Sequence, residues 1–73
     1  MKFAPERLEV AVGDIVTWTN KDLVPHTVTA AGQAIESGAI APGASWRHAF
    51  RRAGEVPYLC RFHPTMKAIV VVR

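Results

Sequence analysis

Apolar and polar residues alternate along this chain in short segments punctuated by turn residues, the pattern of a β-sandwich or barrel. Leu8, Val10 and Val12 alternate with Glu9 and Ala11 up to Gly13-Asp14. Val16 and Trp18 alternate with Thr17 and Thr19 up to Asn20-Lys21-Asp22. Val28 and Ala30 share the parity of His26, so the imidazole is expected on the inward face of its strand, near one end. A short segment near Ile35 to Ile40 follows, then a turn at Pro42-Gly43. Trp46 and Phe50 share one strand face, with Arg51-Arg52-Ala53-Gly54 beyond it. Val56 to Cys60 forms the next strand, and Pro57 should keep it near an edge or interrupt its ladder early. Lys67 to Arg73 is a β-branched run. No periodic helix, repeat or linker interrupts the series, which predicts roughly six or seven strands in one antiparallel sandwich.

Size sharpens the problem. Seventy-three residues form one domain, spanning 1–73, and so small a core is marginal without a staple. The chain has one cysteine, so an internal disulfide cannot supply it. A bound metal can: a ligand at ~1,000 times its dissociation constant adds roughly 4 kcal/mol to the folded state.

Four residues offer such a site: His26, then Cys60, His63 and Met66 within Cys60-Arg61-Phe62-His63-Pro64-Thr65-Met66. Extended chain would separate Cys60 from His63 by ~10 Å, whereas two donors on one metal approach within about 4 Å. The chain must therefore fold back at Cys60, and Pro64 suits a turn better than a strand. Each residue alone has an ordinary reading: a buried cysteine, a core methionine, a packed or surface histidine. The joint spacing, just ahead of a Val-rich strand, favours metal. Thioether is not among zinc's usual ligands. A thiolate and two imidazoles with a distant thioether select copper, as in electron-transfer sites. His48 shares the parity of Trp46 and Phe50 and reads as half-buried packing; Trp18 and Trp46 read as core. Phe62 is placed to shield the metal or cap an apolar patch.

Nine Lys plus Arg against six Asp plus Glu give a formal charge of +3. The cations are scattered and no aromatic-and-basic stripe suits nucleic acid, so the excess favours acidic protein partners. The longest apolar run, Ala68 to Val72, is too short to span a bilayer.

Several motifs together resemble the cupredoxins, small blue copper proteins with a Greek-key β-sandwich. They are Phe3-Ala4-Pro5 before Leu8, Val12-Gly13-Asp14, Thr17-Trp18-Thr19-Asn20, Pro25-His26-Thr27-Val28, Ala41-Pro42-Gly43, Gly54 before Tyr58, and Cys60 through Met66. The short ligand loop is most similar to that of the amicyanins. The resemblance implies one type 1 copper ion, held by ring nitrogens of His26 and His63, the Cys60 thiolate and a weak axial Met66. It implies single-electron transfer between a donor and an acceptor protein, with exposed His63 as the port, in a periplasmic or other extracytoplasmic setting; no signal peptide lies in this chain. Family members usually begin one strand earlier. Either the chain starts after that strand, or the domain is a minimal variant whose open sheet edge pairs with another molecule. An Asn often follows the first histidine and ties the ligand loops together; here Thr27 takes its place, and Asn20 is a candidate outer anchor.

Two functions remain in competition, an electron carrier and a copper-handling protein for chaperoning, storage or resistance. Catalysis is disfavoured: the ligand set is full, no His-x-His pair builds a copper cluster, and no third group orients Cys60 and His63 as a nucleophile pair.

Overall fold

The computed structural model describes residues 2–73. Seven strands are present among them: β1 (Arg7–Val10), β2 (Ile15–Thr19), β3 (Thr29–Ala30), β4 (Ile35–Glu36), β5 (Ser45–Ala49), β6 (Gly54–Cys60) and β7 (His63–Val72). A single 3-10 turn at Ala31–Gln33 joins β3 to β4. One sheet has the order β1-β7-β6-β3-β4 and the other holds only β2-β5. The expected all-β sandwich is therefore present, with no helix long and apolar enough to cross a membrane among the described residues.

One pairing departs from the expected antiparallel scheme. β1 runs parallel to β7, with Arg7 opposite Ile69 and Val10 opposite Val72. The two strands lie at opposite ends of the sequence, so no tight hairpin forces them to run in opposite directions. β1 also ends earlier than its alternation suggests. After Val10 the chain turns, with the Asp14 amide donating to the Ala11 carbonyl at 3.0 Å, and leaves Val12 exposed. Gly13 adopts φ 95° in that turn and Gly43 adopts φ 80° in the turn before β5, backbone that side chains other than glycine's rarely accept.

Inward residues meet between the sheets. Val28 and Ala30 are buried as their shared parity with His26 predicts, and they join Phe3, Val16, Phe50, Val56, Tyr58 and Val70 in one cluster. The Trp18 indole donates across the sandwich to the Tyr58 hydroxyl at 3.2 Å. Such a bond lets two amphipathic rings sit in a core without stranding a polar atom. Pro57 is tolerated because the ladder between β6 and β3 consists of Thr29 opposite Leu59 and does not reach back to it.

The small sheet has a free edge along β2. Val16 and Trp18 sit opposite His48 and Trp46, and the flanking bonds are Phe50 amide to Asp14 carbonyl and Asn20 amide to Ala44 carbonyl. In an antiparallel ladder the alternate residues then face the other way, so Ile15, Thr17 and Thr19 turn their amides and carbonyls towards the free edge of β2. A cavity of about 450 Å³ runs along that edge, walled by Phe3, Leu8 and Trp18 and reaching inward to His26 and Met66.

Candidate metal centre

The ligand loop is a hairpin built around a bulge. Cys60 closes β6, Arg61 and Phe62 make the turn, and His63 stands opposite Cys60, while Leu59 pairs with Lys67. Residues 64–66 thus have no counterpart on β6. The sequence placed Pro64 in a turn; it lies within β7, but in this unpaired excursion, where its missing N–H costs no ladder bond. The excursion carries Met66 into the core, where it is buried.

His26 is presented by a different device. It forms an isolated bridge with Ile40, whose amide donates to the His26 carbonyl at 2.7 Å. The loop before it is pinned by Asn20, whose side-chain amide donates to the carbonyls of Val24 and Ile40, each at 2.8 Å. Its carbonyl oxygen accepts from the Asp22 amide at 2.9 Å. Asn20 is thus an anchor of the ligand loop, as its place in the sequence suggested.

These elements converge on Cys60, which is fully buried. Its Sγ lies 3.6 Å from His26 Nδ1 and accepts from the Thr27 amide at 3.3 Å. The opposite ring nitrogen, His26 Nε2, lies 2.7 Å from Asp22 Oδ2. A carboxylate on one nitrogen fixes the tautomer and leaves the other, on the sulfur side, as the donor towards a metal. The His63 ring sits edge-on to that of His26 at 5.3 Å between centroids and is only partly buried. Met66 shares the core cluster with Cys60 and lines the same cavity as His26. Among the described residues no three His, Cys, Asp or Glu side chains stand as a closed metal-binding group; His26 and Cys60 are the pair already brought together.

Electrostatics favour a thiolate. Burial pushes the Cys60 thiol up, but the Thr27 amide, the His26 ring and the amides of Phe62 and His63 outweigh it and hold the thiol below its ordinary range. Burial pushes His26 down, and its bonds to Cys60 and Asp22 more than reverse this. Each partner stabilises the charged form of the other. A desolvated sulfur biased towards thiolate beside an imidazole, with a thioether in the same buried cluster, is a soft donor set that fits copper.

Other residues fall where their chemistry placed them, or supply a role the sequence reading lacked. His48 is half-buried, stacked on Trp46 at 5.7 Å and edge-on to Phe50 at 5.0 Å. Phe62 is 47% exposed, with the Arg61 guanidinium 5.9 Å above its ring, so it lies on the surface beside the site. Thr27 ties the His26 segment to the Cys60 hairpin, and its hydroxyl accepts from the Arg61 amide at 2.8 Å. Asp22 was read only as a turn residue; its position four residues before His26 was the available signal.

Comparison with known proteins agrees with this geometry. Residues 1–73 match the family described as copper binding proteins, plastocyanin/azurin family. The chain is 39% identical over 77 aligned residues to amicyanin of Paracoccus denitrificans, covering 99% of this chain and 59% of that protein. It superposes on a mutant amicyanin in its oxidized state with a TM-score of 0.94 at 35% identity, covering all of this chain and 74% of the other. A purple cupredoxin from Nitrosopumilus maritimus gives a TM-score of 0.92 at 35% identity, covering 99% and 82% respectively. The fold and site define a cupredoxin. The chain belongs to the plastocyanin/azurin family of copper binding proteins, and one copper ion is its cofactor. It spans only about 59% of the length of the Paracoccus amicyanin.

Proposed function

We propose that this protein is a blue copper electron carrier in which His26, Cys60, His63 and Met66 are the metal ligands. The observation that carries the reading is the placement of Cys60 Sγ 3.6 Å from His26 Nδ1, from segments 34 residues apart, with the Thr27 amide on the same sulfur. The chain's part is to hold the Cys60 sulfur away from water, keep the His26 ring in one tautomer, and bury Met66 in the same cluster. Copper, when bound, supplies the one-electron Cu(II)/Cu(I) couple. Ligands fixed by a bridged strand and a closed hairpin shift little between oxidation states, which keeps the barrier to transfer low.

Partly exposed His63 is the port for electrons. The partners are a donor and an acceptor protein, with acidic surfaces complementing the chain's formal charge of +3. The relatives named amicyanin support a periplasmic or other extracytoplasmic home and a carrier without catalysis. Adding stoichiometric Cu(II) is expected to give an intense visible charge-transfer band that Cys60→Ser abolishes. A colourless copper protein would refute the carrier assignment.

Copper handling is the second reading, and the cavity reaching His26 and Met66 from the open side of β2 favours it. The two part on exchange. A carrier retains its ion against a chelator over many electron-transfer cycles, whereas a handler surrenders it within one exposure.

A further inference from the structure

The side chains flanking the ligand hairpin close into a hydrogen-bonded ring whose polarity is set from outside the copper site. The Arg61 amide donates to Thr27 Oγ1 at 2.8 Å. Thr27 Oγ1 and Thr29 Oγ1 lie 2.9 Å apart, and Thr29 Oγ1 donates to Glu36 Oε1 at 3.0 Å. The same Glu36 oxygen accepts from Arg61 Nε at 2.7 Å, returning the ring to the residue where it began. The second carboxylate oxygen accepts from the Gly38 amide at 2.8 Å, which fixes the carboxylate on β4.

An ionised carboxylate only accepts, and each hydroxyl has one proton to give. Thr29 spends its proton on Glu36, so Thr27 must donate to Thr29, which directs a Thr27 lone pair at the Arg61 amide. Donors chained in one direction polarise one another. Glu36 stays ionised, since the Arg61 guanidinium, the Gly38 amide and the Thr29 hydroxyl hold its carboxyl below the usual range.

We propose that Glu36 is a positioning residue for the metal centre: through Thr29 and Thr27 on one path and the Arg61 side chain on the other, it clamps the Cys60–His63 hairpin against the segment that carries His26. This rests on the copper-carrier reading for its consequence, though not for its geometry. The clamp grips residue 61 by backbone and side chain together, beside the buried Cys60. It restrains the hairpin that would otherwise flex as copper changes charge. It also engages the Arg61 side chain with a neighbouring strand, so that cation is not free to reach for an acidic partner.

Glu36→Ala tests the clamp, with Thr29→Val as a second variant that breaks the ring without touching the ion pair. In the metal-free protein, amide hydrogen exchange at Arg61 is expected to accelerate about tenfold or more in both variants, with the β6–β7 ladder still protected. In the copper-loaded protein the charge-transfer band should persist while electron self-exchange slows, and Glu36→Gln should restore part of the rate. Unchanged protection of the Arg61 amide overturns the proposal, as does faster exchange accompanied by wild-type electron transfer. Absence of the visible band in the unmutated protein would sink the carrier reading instead, and amide exchange would still decide whether the clamp exists.

Discussion

Replacing Cys60 by Ser removes the one group on which every part of the centre converges. The largest fully buried side chains among the described residues are Val28, Val70, Thr27 and Cys60, and two of these belong to the centre. The fold thus relies on the site for packing as well as for function. Without metal, the change exchanges a buried sulfur with at least one amide donor at 3.3 Å for a smaller hydroxyl oxygen. The cost is that of imperfectly satisfied buried donors, about 1–3 kcal/mol. With metal the loss is larger, because Cu(II) at ~1,000 times its dissociation constant contributes roughly 4 kcal/mol to the unmutated protein. At ~4–8 °C per kcal/mol for a domain of this size, copper should raise the melting temperature by roughly 16–32 °C. Thermal unfolding followed by circular dichroism, with and without one equivalent of Cu(II), measures both terms. The serine variant should melt somewhat lower than the parent without metal and gain only a small fraction of the copper-dependent increase. An equal copper-induced rise in parent and variant would show that the ion sits elsewhere, and the argument from sulfur would fall.

Thr17→Pro should fold with stability near that of the parent, because the Thr17 amide faces the free edge of β2 and a proline there removes no ladder bond; a variant that fails to fold would show that edge to be occupied. Val70→Ala should cost about 2–3 kcal/mol in urea unfolding, since its side chain is fully buried in the core between the sheets and a cavity remains; a cost below ~1 kcal/mol would mean that the core collapses around it. Glu9 is held below its ordinary range chiefly by the Arg73 guanidinium, and then by Arg7. A lowered carboxyl stabilises the fold above its unfolded value of 4.5, and that contribution disappears as the pH falls through the lower folded value. Acid titration of Glu9→Gln should therefore be flatter below pH 4.5 than that of the parent. His26 carries the opposite sign: its raised value stabilises the metal-free protein below 6.5 and is lost as the pH rises through the folded value. Asp22→Asn should weaken that loss, and NMR titration of the His26 ring protons measures it.

Much of the architecture was legible because sheet formation follows a local rule. Alternation placed Val28, Ala30 and His26 on one inward face, and all three are buried, but Thr27 between them is buried as well and only Ala30 lies in a strand. The tight return at Cys60 followed from ligand reach alone and is realised as a two-residue turn between Cys60 and His63. Pro64 was misplaced for an instructive reason: proline cannot join a ladder, but a three-residue excursion inside a strand removes the ladder and makes room for it. The parallel partnership of β1 with β7 was equally hidden, since strands far apart in sequence carry no turn from which to read their direction.

The sequence by itself determined the candidate donors, their order, and the inward parity of His26, because side-chain chemistry and two-residue periodicity need no partner to be read. Only the tertiary structure decided which atoms face each other. It set Asp22 on one nitrogen of His26 and Cys60 on the other, the Thr27 amide on the sulfur, and Glu36 across from Arg61. Those contacts depend on how two sheets stack and which strands neighbour one another, and a shift of one residue in register would turn the same side chains to opposite faces.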